Sequence, residues 1–162
     1  MPSPYSTKPT IGFLGAVTPS MWGDWVGAFE RRLSELGWTK GGTVEIDYKW
    51  AEGDAKNYTK FANDFVRAKV DVIVTGGTQA TMACKKAAAK SSIPVVFATA
   101  GDPINSKLVP TFHHPGKVTG VSNQQTILVI KRLDLLRHVV GKGRIGIIGN
   151  DKSPNVKLEI CP

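Results

Sequence analysis

Short apolar segments alternate with longer amphipathic ones along most of this chain. Residues 11–16 are apolar at nearly every position, which predicts a strand buried on both faces. Similar runs predict further strands at residues 71–75, 93–98, 118–121 and 144–149. Apolar residues spaced three and four positions apart predict helices at residues 22–36, 55–69, 79–90 and 126–140.

Residues 43–50 have a different pattern from the other predicted strands. Val44, Ile46, Tyr48 and Trp50 alternate with polar side chains, which predicts one buried face and one exposed face. An inner strand of a parallel sheet is covered on both faces and does not alternate in this way. This second strand is therefore predicted at an edge of the sheet.

The regular alternation of strand and helix predicts an α/β fold, a doubly wound parallel sheet in three layers. Crossovers between parallel strands are right-handed, and with the second strand at an edge they favour the order 2-1-3-4-5. Ligands of such sheets bind beyond the carboxyl ends of the strands, at the switch point between strands one and three. Residues 17–22 and 76–80 are the predicted floor of a ligand site, with residues 99–102 and 122–125 as its walls.

The sequence Gly76-Gly77-Thr78-Gln79 joins the third strand to a helix. The glycines permit positive φ or close approach of the backbone, and Thr78 is a suitable N-cap. The N–H groups of Gln79 and Ala80 would then point into the crevice, where the helix dipole favours an anion such as a carboxylate. The pattern is equally consistent with a plain glycine turn and a capping threonine.

Two other residues near the crevice have two interpretations each. Asp102 is placed to accept a hydrogen bond from a ligand, or to cap the turn that contains Asn105 and Ser106. Trp22 is placed to stack on a flat ligand, or to pack its helix against the sheet. The sequence alone leaves both pairs of interpretations open.

Composition and charge exclude or disfavour several classes of protein. The chain has 162 residues and a net charge of +8, but its basic residues are dispersed over predicted helices, which disfavours nucleic-acid binding. No apolar run approaches the roughly 20 residues of a membrane-spanning helix. Two cysteines cannot form a four-ligand zinc site, and the adjacent histidines 113 and 114 lack a third ligand, so no metal or cofactor is predicted. No nucleophile motif is present, so the chain is not predicted to be an enzyme.

A set of short segments, in order over nearly the whole chain, carries a family resemblance. In chain order they are Ile11-Gly12-Phe13-Leu14, Thr18-Pro19, Ala28-Phe29, Leu36-Gly37-Trp38, Val44-Glu45-Ile46-Asp47-Tyr48, Val70-Asp71-Val72-Ile73-Val74, Gly76-Gly77-Thr78, Ile93-Pro94-Val95-Val96-Phe97, Gly101-Asp102-Pro103, Val118-Thr119-Gly120-Val121-Ser122 and Lys131-Arg132-Leu133. They resemble the ABC-transporter substrate-binding proteins of the type 1 periplasmic fold. The most similar branch is the one associated with tryptophan and tyrosine.

The resemblance implies a two-lobed solute-binding protein that closes on a small amino-acid-like or carboxylate ligand and delivers it to a membrane permease. Ligand contacts in the family come from first-lobe loops after strands one, three and four, the same loops that the switch-point argument selects. Together with Trp22, a stacking candidate, and Ser122, from the stretch that leads out of the first lobe, these loops give the candidate ligand-binding residues Thr18, Pro19, Ser20, Trp22, Gly77, Thr78, Gln79, Ala80, Thr99, Asp102 and Ser122.

The resemblance also divides the chain into parts. Residues 1–10 are expected to be a polar tail, residues 11–125 the first ligand-binding lobe, and residues 126–162 the start of an incomplete second lobe. Members of the family are about twice as long, so the chain is expected to be a fragment. Its strand at residues 144–149 would lack neighbours, and we expect it to pair with a second copy of the chain.

Two questions stay open at this point. The sequence shows no secretion signal before the first strand. If a signal was removed, the expected location is outside the cytoplasm, either periplasmic or membrane-anchored. If Met1 is the true start, the expected location is cytoplasmic. The alternative functions are the ligand-sensing domain of a regulator, which shares this lobe, and a flavodoxin-like enzyme.

Overall fold

The computed structural model describes residues 8–111, 113, 116–146 and 148 of the chain. Strands and helices alternate in it, as the sequence predicts. The strands are β1 (Thr10–Gly15), β2 (Glu45–Trp50), β3 (Val72–Thr75), β4 (Val95–Ala100) and β5 (Val118–Ser122). The helices are α1 (Pro19–Glu35), α2 (Ala55–Ala68), α3 (Thr78–Ala87), which continues as a 3₁₀ turn over Ala88–Lys90, and α4 (Gln125–Val140).

The strands form one parallel sheet in the order β2-β1-β3-β4-β5. β1 lies between β2 and β3, with Ile11 opposite Ile46 on one side and opposite Val72 on the other. The predicted strand order, the edge position of β2 and the contact between the first and third strands are all confirmed.

The helices lie on opposite faces of this sheet. A Cβ built at Gly12 would come within 2.7 Å of Phe65 Cδ1 in α2, whereas the neighbouring Phe13 ring lies 5.7 Å from the Phe29 ring in α1. Successive residues of a strand point to opposite faces, so α1 and α2 lie on different sides. α3 packs against α2, and the three layers are therefore α1, the sheet and the α2–α3 pair.

The main hydrophobic core lies between the sheet and the α2–α3 pair. Leu14, Ile73 and Phe65 are fully buried there, and Val95 and Phe97 are nearly so. Full burial of one such side chain stabilises the fold by about 1.5–3 kcal/mol. Glycine at position 12 leaves the space against β1 that the Phe65 ring occupies.

The opposite face of the sheet is covered less completely. Val72, Val74 and Val96 are only half-buried, although their chain neighbours Ile73 and Val95, which point to the other face, are buried. Right-handed crossovers place their helix on one face when the chain moves toward β5, and on the other face when it moves toward β2. Among the described connections only the one from β1 to β2 moves that way, so α1 is the crossover helix on this face.

α1 begins at Pro19 rather than at the predicted Trp22. Thr18 is its N-cap, with extended backbone, and proline suits the following position because its fixed φ is helical and its missing N–H would have no helical partner. Pro19 and Ser20, which the sequence prediction placed before the helix, therefore form its first turn.

The predicted sixth strand at residues 144–149 is wrong for its described part. Residues 144–146 and 148 belong to no strand, and residues 147 and 149 lie outside the described residues. A β-strand is held by its hydrogen-bond ladder to a neighbour. The described chain provides no such neighbour here, and apolar sequence alone does not make a strand.

α4 and the residues before β1 complete the description. No described side chain of α4 is buried, and Ile130, Leu135 and Val139 are 73%, 67% and 85% exposed. Residues 1–7 of the predicted tail lie outside the described residues. Lys8 Nζ donates to Glu45 Oε1 at 2.6 Å, and β1 begins at Thr10.

Candidate functional site

The loops that follow β1, β3 and β4 meet at the carboxyl ends of these strands. A Cβ built at Gly77, after β3, would lie 3.8 Å from the Cβ of Ala16, after β1. The N–H of Gly77 donates to the carbonyl of Thr99, near the end of β4, at 2.9 Å. The structure therefore brings the loops after β1 and β3 to the end of β4 at the switch point of the sheet; Thr99, predicted to lie beyond the fourth strand, belongs to β4 itself.

Gly77 is the N-cap of α3, and the prediction that Thr78 caps this helix is wrong. Gly77 has φ of 87°, in the range that favours glycine, which lets the chain turn sharply from β3 into the helix. Its carbonyl accepts hydrogen bonds from both the N–H (3.1 Å) and the Oγ1 (2.8 Å) of Thr81. The glycine turn is thus built into the first turn of α3.

Thr78 joins the loop after β3 to the loop after β4. Its buried hydroxyl oxygen Oγ1 accepts a hydrogen bond from the N–H of Gly101 at 3.4 Å. The carbonyl of Gly101 in turn accepts from Ser122 Oγ at 3.5 Å and from the N–H of Gln125 at 3.0 Å. Ser122 therefore lies against the predicted wall of the crevice, one step before the chain leaves the sheet for α4.

Of the two roles considered for Asp102, the structure shows the turn-capping one. Its Oδ1 accepts from the N–H of Asn105 at 3.0 Å, and its Oδ2 accepts from Asn105 Nδ2 at 2.7 Å. The residue is only 7% exposed. Both carboxylate oxygens already have donors, and a direct ligand contact by Asp102 remains a prediction.

Thr18, Pro19 and Ser20 lie at the start of α1, beside the loop that follows β1. The hydroxyls of Thr18 and Ser20 are 3.0 Å apart and share a hydrogen bond. The side chain of Thr18 makes no capping hydrogen bond to the helix backbone. Two hydroxyl groups are therefore presented together at this end of the sheet.

Trp22 lies on the backbone at the end of β3. A Cβ at Gly76 would come within 2.4 Å of Trp22 Cη2, so the indole occupies the space above this glycine. The ring centroid of Trp22 is also 6.3 Å from that of Phe13 and 5.9 Å from that of Trp25. The contacts place Trp22 in the packing between α1 and the sheet, and its half-buried side chain borders the crevice.

Trp50 lies beside the candidate site, next to Trp22, and sequence reasoning did not name it among the candidates. A Cβ at Gly15 would come within 2.1 Å of Trp50 Cε3, and the Trp50 ring centroid lies 6.3 Å from that of Trp22. Two tryptophans thus cover the ends of β1 and β3. Alternation along β2 predicted the side on which Trp50 lies, but no local pattern connected it to Gly15 or to the ligand loops.

Gln79 and Ala80, whose backbone N–H groups are predicted to face the crevice, have side chains that lie elsewhere. The Ala80 side chain is 1% exposed and belongs to the core, so its contribution to a ligand is restricted to its backbone. Gln79 lines a cavity between α2 and α3, together with Ala55 and Tyr58. The hydroxyl of Tyr58 donates to the carbonyl of Ala16 at 3.1 Å, which fixes the loop after β1 against α2.

Glu30 and Cys84 are two of the titratable groups whose pKa values are altered. Hydrogen bonds from Lys40 and Tyr48 lower the pKa of the Glu30 carboxyl, whose Oε1 accepts from both donors at 2.7 Å. Burial raises the pKa of the Cys84 thiol to about 12. Both groups serve packing: the Glu30 pair ties α1 to β2, and the protonated thiol is inert.

The described residues contain neither a metal-binding cluster nor a membrane-spanning helix. Within residues 8–111, 113, 116–146 and 148, no group of three or more His, Cys, Asp or Glu side chains is arranged to hold a metal ion. No described helix combines the length and the apolar character that a membrane crossing requires. His114, of the predicted histidine pair, lies outside the described residues.

Comparison with known proteins gives a consistent result. The sequence pattern of the family described as "ABC transporter substrate binding protein" matches residues 18–161. A tyrosine-binding protein of Clostridioides difficile (strain R20291) is 29% identical over 134 residues, which are 82% of this chain and 38% of that protein.

Solved structures share the fold. A conserved domain protein of Vibrio cholerae O1 biovar El Tor str. N16961 matches with a TM-score of 0.80 and 26% identity. The match covers 93% of this chain and 50% of the Vibrio chain. The ABC domain of Streptococcus pneumonia in complex with L-Trp matches with a TM-score of 0.63 and 30% identity. This match covers 76% of the present chain and 43% of the Streptococcus chain. The chain thus spans about half the length of these relatives, or less.

These comparisons favour neither a regulator nor a flavodoxin-like enzyme. The family match begins at Thr18, after β1, and extends over β2 to β5, the loops after β3 and β4, and α4. The chain belongs to the family of ABC transporter substrate-binding proteins.

Proposed function

We propose that this chain forms the first ligand-binding lobe of the solute-binding component of an ABC importer. One observation carries the proposal: the loops after β1 and β3 meet the end of β4 at the switch point, where Gly77 lies beside Ala16 and its N–H donates to the carbonyl of Thr99. Ligands of open parallel sheets bind at this place. Catalysis is not part of the proposal, because the residues at the crevice offer hydroxyls, backbone amides and indole rings rather than a nucleophile with a base.

The proposed ligand is a small amino-acid-like carboxylate with an aromatic or branched side chain. The N-terminus of α3 favours a carboxylate through its dipole, and the hydroxyls of Thr18 and Ser20 lie at the same end of the sheet. Trp22 offers a flat surface to an apolar side chain. The relatives described as a tyrosine-binding protein and as an L-Trp complex support this class of ligand.

We further propose that residues 11–125 are one lobe and that residues 126–162 begin a second. The relatives are about twice as long, and a solute-binding site of this fold is shared between two lobes. The exposed apolar side chains of α4, among them Ile130, Leu135 and Val139, fit a helix that packs against that second lobe. A single lobe binds its ligand weakly because it leaves the ligand half-exposed.

The partners and location of the protein follow from the same proposal. A membrane permease receives the ligand, and the binding protein acts outside the cytoplasm, periplasmic or anchored to the membrane. A second copy of the chain pairs with the apolar segment at residues 144–149. Light scattering after size exclusion tests this pairing: a dimer is expected, and a soluble monomer at all concentrations would contradict it.

Ligand binding is tested by nuclear magnetic resonance on this chain. The indole N–H signals of its tryptophans are followed while L-tryptophan, L-tyrosine or L-isoleucine is added to millimolar concentration. The signals of Trp22 and Trp50 are expected to shift, whereas that of Trp38, after α1, stays in place. Shifts of equal size at all three residues would mean that the crevice is not the site.

A two-lobed chimera, in which the second lobe of the Vibrio relative is joined to this chain, is compared with the single lobe. Amino acids that shift Trp22 in the single lobe are expected to raise the melting temperature of the two-lobed protein. A Trp22→Ala variant of that protein should lose the stabilisation, while Trp38→Ala should retain it. Stabilisation that survives in Trp22→Ala would remove Trp22 from the proposed site.

A further inference from the structure

The direction of α4 is set by the few residues with which the chain leaves the sheet. We call these residues, 122–125, the hinge segment; they run from the end of β5 to the start of α4. No described side chain of α4 is buried, so packing along the helix does little to fix its angle to the sheet. The conformation of the hinge segment therefore decides where α4 lies relative to the crevice.

Gln124 has an unusual backbone conformation within this segment. It is the N-cap of α4, with φ of 47° and ψ of 40°, in the left-handed region. An N-cap residue ordinarily has extended backbone, as Thr18 has before α1 and Asp54 before α2. Left-handed backbone at a residue other than glycine persists only where the surroundings hold it. The side chain of Gln124 does not hold it, because it makes no capping hydrogen bond to α4.

The hydroxyl of Ser122 holds the turn at Gln124. Its oxygen accepts a hydrogen bond from the N–H of Gln124 at 3.0 Å and donates one to the carbonyl of Gly101 at 3.5 Å. The same carbonyl accepts from the N–H of Gln125, the first residue of α4, at 3.0 Å. A serine hydroxyl has a single proton, and the proton of Ser122 is engaged with Gly101 rather than available to a ligand.

Gly101 connects the hinge segment to the start of α3. Its N–H donates to the buried Oγ1 of Thr78 at 3.4 Å, while its carbonyl accepts from Ser122 and from Gln125. The proposed ligand lies at the N-terminus of α3, where Thr78 is the first helical residue. The hinge segment and the ligand loop are thus joined through one residue.

We propose that Ser122 is a positioning residue of the hinge rather than a ligand contact. Its hydroxyl holds Gln124 in the left-handed conformation, which fixes the direction of α4 and of the second lobe that α4 begins. Gln124 is the residue whose backbone angles change when that direction changes. The statement about the second lobe rests on the proposed function, whereas the control of α4 by Ser122 does not.

Residual dipolar couplings of the backbone amides measure the direction of α4 relative to the sheet in the whole chain. In the parent chain the couplings of both elements should fit one common alignment. In Ser122→Ala those of α4 should fall about twofold while those of the sheet stay the same, because the helix then averages over several directions. Ser122→Thr retains the hydroxyl and should retain the couplings. Unchanged α4 couplings in Ser122→Ala, or couplings already averaged in the parent chain, would overturn the proposal.

Ser91→Ala is the matched control for a general loss of stability. The hydroxyl of Ser91 makes the same pair of bonds, accepting from the N–H of Ile93 at 3.3 Å and donating to the carbonyl of Ala88 at 3.1 Å. This serine lies before β4, at the opposite end of the sheet from the hinge segment. Its substitution should lower the melting temperature but leave the α4 couplings unchanged. Equal losses of α4 couplings in Ser91→Ala and Ser122→Ala would reduce the effect to general loosening and overturn the assignment.

Two substitutions of Gln124 test the backbone conformation itself. Asparagine tolerates left-handed backbone, so Gln124→Asn should retain the α4 couplings. Valine is β-branched and disfavours positive φ, so Gln124→Val should reduce the couplings as Ser122→Ala does. Equal couplings in the two variants would show that the left-handed conformation does not direct the helix, which contradicts the proposal.

A titration with L-tryptophan separates the hinge role of Ser122 from a ligand contact. The shift of the Trp22 indole N–H signal gives the affinity of the chain for this amino acid. Ser122→Ala should leave the affinity unchanged within about twofold, and a larger loss would make Ser122 a ligand contact and overturn the proposal. If the parent chain shows no Trp22 shift, the proposed function fails, while the dipolar couplings still decide the hinge role because they need no ligand.

Discussion

The indole of Trp22 lies directly above Gly76, so close that a Cβ at this glycine would be 2.4 Å from the ring. The contact joins the first turn of α1 to the residue that follows β3, and the two residues are more than fifty positions apart in the chain. It also explains a glycine that backbone conformation does not require, because Gly76 is not among the residues with positive φ. The absence of a side chain is what lets the ring approach.

Gly76→Ala should destabilise the fold by about 1–3 kcal/mol, because the added methyl group forces the Trp22 ring out of its place. Urea unfolding measures the loss, and near-ultraviolet circular dichroism should show an altered tryptophan environment. Gly23→Ala is the matched control: no heavy atom lies within 4 Å of a Cβ there, and alanine in a helix is favoured by about 0.5–1 kcal/mol. A Gly76→Ala variant as stable as the parent chain would contradict the contact.

Asp102→Ala should cost about 1–2 kcal/mol of stability, since it leaves the N–H of Asn105 in a partly buried turn without its acceptor. Asn105→Ala removes only the side-chain half of the interaction and should cost less. Thermal and urea unfolding of both variants measures the difference. Unchanged stability in Asp102→Ala, combined with weaker ligand binding, would instead support the ligand interpretation of this carboxylate.

Substitution of Ile130, Leu135 and Val139 by glutamine should change the stability of the chain by less than about 0.5 kcal/mol each, because these side chains are already exposed. Phe65→Ala, in the sealed core, should cost about 3–5 kcal/mol. Unfolding curves of the two variants compare the packing of α4 with that of α2. A large loss in the triple variant would show that α4 packs within the chain or against a second copy of it.

The stability of the protein should fall as the pH rises above about 9. The Cys84 thiol ionises near pH 9 in the unfolded chain but only near 12 in the folded one, so the unfolded state holds fewer protons between these values. The free energy of unfolding then falls by up to about 1.4 kcal/mol per pH unit.

Urea unfolding between pH 8 and pH 10 measures this slope, and Cys84→Ala should reduce it. Burial also raises the pKa of Tyr58, and burial with the hydrogen bond to Glu30 raises that of Tyr48, but both add to the slope only above about pH 10. A slope that is the same in Cys84→Ala and the parent chain would mean that the thiol ionises equally in both states.

Much of the fold could be predicted because it is encoded in local periodicity. Alternation in residues 43–50 assigns β2 to the edge, and this position together with right-handed crossovers gives the strand order and the switch point. The N-cap of α3 was assigned wrongly because a Gly-Thr pair is compatible with either residue as cap, and only the backbone geometry decides. The contact between Gly15 and Trp50 could not be predicted because it depends on the register of two strands.

The predicted strand at residues 144–149 shows where a local pattern fails as a predictor. Its apolar residues satisfy the local pattern of a buried strand, yet the described residues form none. A helix satisfies its own hydrogen bonds, so α4 can form with little packing, whereas a strand requires a neighbour. Local pattern therefore predicts helices in an isolated segment more reliably than strands.

The position of β1 between β2 and β3 has a consequence for synthesis on the ribosome. β1 can pair with β2 once residue 50 has emerged, but its other edge stays open until residue 75 is available, because Leu14 pairs with Thr75. During that interval β1, which is buried over residues 11–15 in the folded protein, exposes unpaired amides to any other nascent copy. Expression at low temperature, or with a chaperone that shields extended apolar segments, should therefore raise the soluble yield of this protein.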